Sequence, residues 1–491
     1  MKPVLAALAG AVVSVLAFPP FGPGVLIVPG IALFLVAVRL CRDGREGLWV
    51  GAVYGLVFFG GLMSWLAELE LIALVLVPLQ ALFLAAYGWW LARLGRLTPG
   101  PWLLVAVGGW AFAELLRYHI PVGGLEWGAA GYALSDNLYM RLPASAIGTS
   151  GLTVVVVMFA AVGALAATRS WDRRLLWSFL VLGVVLIATV PSIVFHIDHG
   201  PRTVAIVQGS TPCPFEHCPP DERLRTFGQH LELTKTIEAG SVDLVVWSEG
   251  STGSTNADPV LNQEVRQAIA AEARRIGAPM LIGGDRVLSD SEWINANVYF
   301  DAGGVILGEY RKQHPVPFGE YIPLRPAFEW IPALDRVPRD MIRGDGPVVF
   351  DDGIGSVISF EGGFSRYALE TRRAGANVIV VATNEASYGP DAATSDQFIG
   401  MTRMRAVELG VSVVHAAVTG RSTITDNQGS VGDTTGLGDQ DVLYGELDAS
   451  TSTIYTTTGD LVMYLAAVVG MAVWSRASAL VGSAGPPTEQ E

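Results

Sequence analysis

Leu244-Val-Val-Trp-Ser-Glu249 is a short run of β-branched and aromatic residues that ends in a carboxylate. Two further segments, Tyr310-Arg-Lys312 and Val357-Ile-Ser-Phe-Glu361, also carry polar side chains where a predicted strand ends. Between residues 201 and 456, other β-branched runs alternate with helical patterns, which predicts an α/β sheet covered by helices. Because catalytic groups gather at strand ends in such folds, these three segments predict an active site.

The composition divides the chain into two regimes. Of its 491 residues, 51% are hydrophobic and only 16% are charged, which is typical of an integral membrane protein. We predict a transmembrane bundle of seven spans over residues 1–197, a polar domain over 201–456, a final transmembrane helix over 460–482 and a disordered tail over 483–491. The net charge of −14 argues against nucleic acid as a partner, since binding it requires a basic face.

Eight segments have the apolar length, roughly 17–25 residues, that spans the hydrocarbon core of a bilayer. They lie at about 3–18, 24–41, 47–66, 71–92, 101–118, 149–167, 175–195 and 460–480. A cleaved signal peptide is the alternative for the first segment. Leu16-Ala-Phe-Pro-Pro-Phe-Gly22 lacks a small-residue cleavage site and favours a helix stop instead.

Basic residues in the short loops predict the orientation of these spans. Those on one side are Lys2, Arg42, Arg45, Arg93, Arg96, Arg169, Arg173 and Arg174. The positive-inside rule places that side in the cytoplasm. Both termini are then cytoplasmic, and the polar domain is extracytoplasmic.

Glu249, Lys312 and Ser359 are the candidate catalytic groups. A carboxylate can take the proton of a hydroxyl that attacks a carbonyl, and an ammonium can stabilise the resulting oxyanion. Each residue also has an ordinary structural interpretation: an exposed acid at a strand end, a surface lysine and a small residue in a packed strand.

The segment from Tyr310 to Pro323, YRKQHPVPFGEYIP, resembles the lysine segment of the apolipoprotein N-acyltransferases, the membrane branch of the nitrilase superfamily. Further similar segments follow the family's order at residues 16–22, 51–60, 113–117, 403–408 and 455–460. The resemblance implies a multi-pass α-helical membrane domain of about eight spans and an extracytoplasmic nitrilase-like αββα sandwich domain. The expected location is the bacterial plasma membrane.

The resemblance also implies roles for individual residues. Glu249 corresponds to the general base, Lys312 to the residue that stabilises the oxyanion, and Ser359 to the nucleophile, while Glu320 and Glu361 match two supporting acids. Family members transfer an acyl chain from a phospholipid to the N-terminal amine of a diacylglyceryl-cysteine lipoprotein. We therefore expect phospholipid, diacylated lipoprotein and membrane lipid as partners, a monomer, and no metal or organic cofactor.

Ser359 departs from the family pattern, in which the nucleophile is a cysteine. A thiol reaches the thiolate with modest help, whereas a serine must lose its proton during attack. An amine also attacks an oxyester less readily than a thioester, which predicts slow transfer or a stalled acyl-enzyme. Ser248, Phe360 and residues 383–389 depart from the pattern as well, which favours a native, diverged sequence over an introduced change.

Two other functions fit the same residues. One is a catalytically silent membrane paralogue that binds lipid or lipoprotein, and the other is a membrane-tethered amide or ester hydrolase in which water replaces the amine. A transporter is disfavoured, because the predicted spans lack charges within the membrane.

Three features each have two interpretations. Cys213 and Cys218 form either a short disulfide loop or two free thiols. Residues 323–343 form either an apolar loop that dips toward the lipid surface or a packed cover on the sheet. Arg117, His119 and Glu126 either contact lipid headgroups or anchor a helix end.

Overall fold

The computed structural model describes residues 1–69, 71–95, 97–168, 195–196, 202–215, 220–328, 330–386, 388–390 and 392–483. The chain divides into two compact units, of which the first combines Met1–Ser192 with Thr458–Glu491 and the second is Ile193–Thr457. The predicted span at 175–195 and the predicted tail at 483–491 lie almost entirely outside the described residues.

The first unit is helical. Its α-helices are Lys2–Val15, Ile27–Arg39, Gly44–Leu62, Leu66–Leu69, Leu76–Ala92, Pro99–His119, Leu138–Arg141, Ala144–Ala167 and Leu461–Ser483. Within the described residues, three stretches are long and apolar enough to cross a membrane, namely Ala73–Ala92, Pro99–His119 and Ala144–Ala167, and three shorter helices are apolar. The helical class of this unit is confirmed, whereas the count of eight spans stays a prediction.

Small residues let the helices of this unit approach closely. Helix Gly44–Leu62 packs along Leu76–Ala92, where a Cβ atom at Gly51 would lie 2.2 Å from the carbonyl oxygen of Leu84. A Cβ atom at Gly108 would lie 2.4 Å from the carbonyl oxygen of Ala466. Backbone contact through small residues is a common mode of helix association in membranes, where no hydrophobic effect drives helices together.

Arg117 is buried inside the first unit. Its guanidinium forms an ion pair with Glu114 at 2.6 Å and donates to the carbonyl oxygens of Leu125 and Trp127 at 2.8 Å each. Glu126 is buried as well, and it accepts a hydrogen bond from the hydroxyl of Tyr132. Arg117 makes all of these bonds within the first unit, so its guanidinium stabilises the helix end and the loop that follows. Glu114 and Arg117 lie within the predicted span at 101–118, so the expectation that the spans lack charges is wrong for this one.

Among the described residues, the second unit contains the β-strands and the helices between them. The strands are β1 (Phe195–His196), β2 (Arg202–Gln208), β3 (Leu244–Trp247), β4 (Met280–Val287), β5 (Glu292–Phe300), β6 (Ile306–Arg311), β7 (Asp340–Met341), β8 (Val349–Phe350), β9 (Ile354–Ile358), β10 (Val378–Thr383), β11 (Ser412–Ala417), β12 (Thr423–Thr425), β13 (Val431–Thr434), β14 (Asp441–Leu447) and β15 (Thr451–Ser452). The α-helices are Pro220–Thr234, Gln263–Ile276, Arg325–Phe328, Ser365–Arg373, Ala392–Leu409 and Ile454–Thr458.

Two sheets face each other in this unit. One has the strand order β14-β2-β3-β4-β5-β6, with β7 beside β5, and the other has the order β13-β12-β11-β10-β9-β8. The core between the sheets joins Ile206 and Leu281 of the first to Ile358 and Val380 of the second. A separate core packs the outer face of the first sheet on helix Gln263–Ile276, and helices Ser365–Arg373 and Ala392–Leu409 cover the second sheet. The predicted αββα sandwich is confirmed.

The three predicted catalytic residues each lie just beyond the end of a strand. Strands β2, β3 and β4 run parallel, as do β9, β10 and β11. Glu249, Lys312 and Ser359 follow β3, β6 and β9 by one or two residues. Two strands of the first sheet, β3 and β6, and one strand of the second, β9, thus each carry one candidate side chain just beyond their ends.

Candidate active site

Glu249 is a carboxylate held on both oxygens. It is 5% exposed, and Oε1 accepts hydrogen bonds from the side-chain amide of Asn295 at 2.6 Å and from the ammonium of Lys312 at 3.2 Å. Oε2 accepts from the backbone N–H of Asn384 at 2.8 Å. Asn295 belongs to the first sheet and Asn384 follows the second, so both sheets orient this carboxylate. Three donors therefore hold this buried carboxylate in one orientation.

Lys312 is a fully buried ammonium between two acids. It is 1% exposed, and Nζ lies 2.6 Å from Oε1 of Glu320 and 3.2 Å from Oε1 of Glu249. Burial alone lowers the pKa of Lys312, but the carboxylates of Glu249 and Glu320 outweigh it and raise the pKa above its ordinary value. The side chain therefore stays positively charged, as stabilisation of an oxyanion requires.

Glu320 fixes the position of Lys312. Its second oxygen, Oε2, accepts the backbone N–H of Val316 at 2.7 Å, which closes the turn between the lysine and the glutamate. Burial raises the pKa of Glu320, and the ammonium of Lys312 opposes that rise. Glu320 and Glu249 thus hold the ammonium of Lys312 together.

Ser359 opens the turn after β9. It is buried and has a φ of 51°, in the left-handed region that a side chain with a Cβ atom adopts at a cost of about 1–3 kcal/mol. Such backbone strain is typical of residues that a turn aims into an active site, including nucleophiles placed between a strand and a helix.

Glu361 connects the turn of Ser359 to the segment of Lys312. One oxygen accepts the backbone N–H of Ile358 at 2.7 Å and the hydroxyl of Tyr310 at 2.7 Å. The other accepts the backbone N–H groups of Gln313 and His314, which directly follow Lys312. Burial raises the pKa of Glu361, although these hydrogen bonds oppose the rise. The carboxylate of Glu361 is thus a structural joint between the turn of Ser359 and the segment of Lys312.

Glu361→Gln is expected to destabilise the second unit. A glutamine amide can accept on one atom only, so its NH₂ group would face backbone N–H donors, and each buried N–H left unsatisfied costs about 1–3 kcal/mol. The thermal unfolding midpoint of the purified protein in detergent should fall by several degrees. The matched control is Glu370→Gln, at an exposed position. An unchanged midpoint for Glu361→Gln would contradict the role of Glu361 as a structural joint.

Asn295 and the backbone of Asn384 are contacts that sequence reasoning missed. Asn295 and Asn297 occupy alternate positions of β5, and Asn297 donates to the hydroxyl of Ser356 across the two sheets at 2.7 Å. Polar amides at a period of two in an otherwise apolar strand are a signal that this face meets polar groups. The N–H of Asn384 has no such signal, because any non-proline residue carries one.

Residues 323–343 pack partly on a small core of their own. Ile322, Leu334 and Val337 form its buried centre, with Phe318, Phe328 and Ile331 against it. Leu324 and Trp330 are 78% and 75% exposed in the second unit. Both interpretations of this segment therefore keep some support, since it packs on itself and also presents large apolar side chains.

The choice between a disulfide loop and two free thiols at Cys213 and Cys218 concerns the start of the same unit. Cys213 is disulfide-bonded, and Cys218 lies outside the described residues. Cys41, in the first unit, is a free thiol.

The fold and the strand-end glutamate, lysine and serine define a membrane-associated, nitrilase-like protein. Residues 203–455 match the carbon-nitrogen hydrolase family, and residues 10–162 match the apolipoprotein N-acyltransferase N-terminal domain. The chain belongs to the carbon-nitrogen hydrolase family, in its apolipoprotein N-acyltransferase branch.

Known proteins are similar in sequence to this chain over most of its length. An apolipoprotein N-acyltransferase of Geobacter metallireducens is 29% identical, over 96% of this chain and 94% of that protein. One of Photobacterium profundum is 27% identical, over 87% of this chain and 85% of that protein. Among solved structures, a carbon-nitrogen hydrolase from Helicobacter pylori is 16% identical, covers 50% of this chain and 89% of its own, and has a TM-score of 0.39.

Proposed function

We propose that this protein transfers an acyl chain from a phospholipid to the N-terminal amine of a diacylated lipoprotein. The observation that carries the proposal is the buried ammonium of Lys312 between Glu249 and Glu320, in a chain that matches both domains of the acyltransferase branch. A charged group is stable in a protein interior only where partners compensate its charge. The carboxylates of Glu249 and Glu320 compensate the ammonium of Lys312, so the three groups form one structural unit.

In the first half-reaction, Ser359 attacks the carbonyl carbon of a phospholipid ester. Glu249 takes the hydroxyl proton as the new C–O bond forms, and the ammonium of Lys312 stabilises the oxyanion. The ester C–O bond then breaks, and the departing lysophospholipid oxygen receives the proton from Glu249. The products are a lysophospholipid and an acyl group on Ser359.

In the second half-reaction, a neutral amine attacks the acyl-serine. Glu249 takes a proton from the attacking nitrogen and returns it to the oxygen of Ser359 as the C–O bond breaks. The product is an amide, and the enzyme regains its starting state. Exchange between two oxygen esters is nearly balanced in energy, so the replacement of cysteine by serine affects this second step more than the first.

The proposal includes the placement of the chain. Eight spans in the bacterial plasma membrane, with the domain of residues 201–456 outside the cytoplasm and both termini inside, would present the active site to lipoproteins after export. The division at 1–197, 201–456, 460–482 and 483–491 and a monomeric state belong to the same proposal. The match of residues 10–162 to an acyltransferase N-terminal domain supports it.

The test is mass spectrometry of the purified protein incubated with phospholipid and a diacylated lipopeptide. Acyl-Ser359 and triacylated lipopeptide are the expected products. Free fatty acid in place of triacylated product would identify a hydrolase. Absence of both adduct and product, with retained lipid binding, would identify a silent binding paralogue.

A further inference from the structure

Asp285 adds one more acid to the candidate active site. Strand β4 pairs antiparallel with β5, and Asp285 lies directly opposite Asn295. The backbone N–H of Lys312 in turn donates to the carbonyl oxygen of Asn295 at 2.9 Å. Because opposed residues of neighbouring strands point to the same face, Asp285, Asn295 and Lys312 form a row across the sheet.

This row lies on the face between the two sheets. Leu281 of β4 belongs to the core between the sheets, whereas Ile282 packs toward the helices. Side chains alternate along a strand, so Asp285 shares the face of Leu281. Arg286 points the other way and pairs with Asp258 at 3.0 Å. The neighbouring arginine is thus committed to the opposite face and does not neutralise Asp285.

Two acceptor atoms in this row have no hydrogen-bond partner among the described residues, Oδ1 of Asp285 and Oδ1 of Asn295. Asn295 is only 3% exposed, and its amide nitrogen already donates to Glu249, which leaves Oδ1 as an acceptor. Buried acceptors without partners are costly and uncommon. A pair of them on opposed residues beside Glu249 and Lys312 fits a ligand that supplies N–H donors.

The charges around Asp285 favour a cationic ligand. The pKa of Asp285 is raised to about 7, first by burial and then by the nearby acids Glu249, Glu320 and Asp258, while Lys312 opposes the rise. Glu249 follows β3, Asp258 lies beyond it, and Lys312 and Glu320 follow β6. Asp258 is already paired with Arg286, and among the remaining groups the acids Glu249 and Glu320 outnumber the ammonium of Lys312, so a second positive charge in this place would be stabilised.

The proposed reaction needs such a site. An N-terminal amine has a pKa of about 7.7–8.0 and is mostly an ammonium at neutral pH, without the lone pair that attacks a carbonyl. Glu249 already handles the proton exchanged between the nucleophile and the leaving group. A second proton must leave the acceptor before the second half-reaction begins.

We propose that Asp285 and the amide oxygen of Asn295 bind the acceptor's ammonium group, and that the carboxylate of Asp285 takes its surplus proton. One N–H bond breaks, one O–H bond forms on Asp285, and the nitrogen keeps the electron pair that attacks the acyl-serine. Asp285 then releases the proton to water. This inference rests on the proposed function, and it assigns the site to primary amines as a substrate class.

The experiment measures the two half-reactions in the same full-length protein. Acylation of Ser359 by phospholipid is quantified first by mass spectrometry, and discharge by a diacylated lipopeptide is then followed between pH 6 and pH 9. For Asp285→Asn, the ratio of discharge to acylation at pH 7 should fall about tenfold, because only about a tenth of an amine with a pKa of about 8 is neutral at that pH. The pH profile of discharge should also move to higher pH, because the amine's own ionisation then controls it.

Hydroxylamine separates this role from a merely structural one. It is uncharged at neutral pH and needs no deprotonation before attack, so its discharge of acyl-Ser359 should fall much less in Asp285→Asn. Asp285→Glu keeps a carboxylate, so it should transfer the acyl chain to the lipopeptide faster than Asp285→Asn does. Asp290→Asn, an exposed site in the hairpin after β4, is the control for the change of charge. Equal losses with hydroxylamine and lipopeptide would overturn the inference.

A competition in the unchanged protein keeps the proposal testable if Asp285→Asn fails to fold. A lipopeptide with an N,N-dimethylated terminus keeps its charge and one N–H but cannot form an amide, and it should inhibit transfer more strongly than an N-acetylated lipopeptide. Equal inhibition would overturn the inference alone. Absence of acyl-Ser359 and of product would overturn the proposed function and this site with it.

Discussion

Glu249→Gln is expected to reduce acylation of Ser359 by about 10²–10⁴-fold, the usual contribution of a general base. An amide cannot accept the hydroxyl proton at neutral pH. The substitution also places an NH₂ group where Glu249 now accepts from Asn295, Lys312 and the backbone of Asn384, so one donor would face another. The measurement is the initial rate of acyl-adduct formation from phospholipid without an acceptor.

Glu292→Gln is the matched control for this loss. Glu292 is exposed at the start of β5, in the strand that carries Asn295 but away from the carboxylate cluster, and its substitution should retain the wild-type rate. Thermal unfolding of both variants separates a catalytic loss from a folding defect. Formation of the adduct at the wild-type rate in Glu249→Gln would remove the residue from the role of base.

The segments proposed to be catalytic can be predicted from the sequence because each combines a local strand pattern with a polar side chain. The run before Glu249 is apolar and β-branched, and the run before Ser359 is similar, so both predict strands that end in a functional group. Glu249 follows β3 of one sheet and Ser359 follows β9 of the other, so their relative position depends on how the two sheets pack rather than on neighbouring strands of one sheet. Polar residues in these segments are recognised as candidate site residues because they lie at strand ends, not because they are numerous.

The contacts that orient these groups could not be predicted in the same way. Asn384 acts through its backbone N–H, which carries no residue identity, and the pairing of Asp285 with Asn295 depends on the register of a hairpin. A shift of one residue would send Asp285 to the helix-covered face. The register of a strand pair depends on the packing of the whole sheet. The contacts of Asn384 and Asp285 could therefore not be predicted from the sequence.

The membrane unit shows a different limit. Apolar length marks candidate spans, but helices such as Lys2–Val15 and Ile27–Arg39 are shorter than the apolar segments that contain them. Proline and glycine around residues 19–24 end the first helix before the apolar run stops. Composition therefore predicts that this unit is a helical membrane domain. The residues at which its helices begin and end depend on local proline and glycine.

Ser359→Cys is expected to accelerate transfer to the lipopeptide amine by at least about tenfold, or about 1.4 kcal/mol in activation free energy. A thiolate leaves the tetrahedral intermediate more readily than a serine alkoxide, and an amine attacks a thioester more readily than an oxyester. The two side chains are similar in shape, so the strained turn at φ 51° and the joint through Glu361 should persist. The measurement is discharge of the preformed acyl-enzyme by diacylated lipopeptide.

Two variants define what this acceleration means. Ser359→Ala should form no adduct, which sets the background, and Ser289→Cys places a thiol in the hairpin between β4 and β5 to report acylation of cysteine outside the site. If Ser359→Cys forms its adduct but discharges no faster than the serine enzyme, breakdown of the acyl-enzyme does not limit turnover. The slow step would then lie in binding or deprotonation of the amine, where Asp285 and Asn295 act.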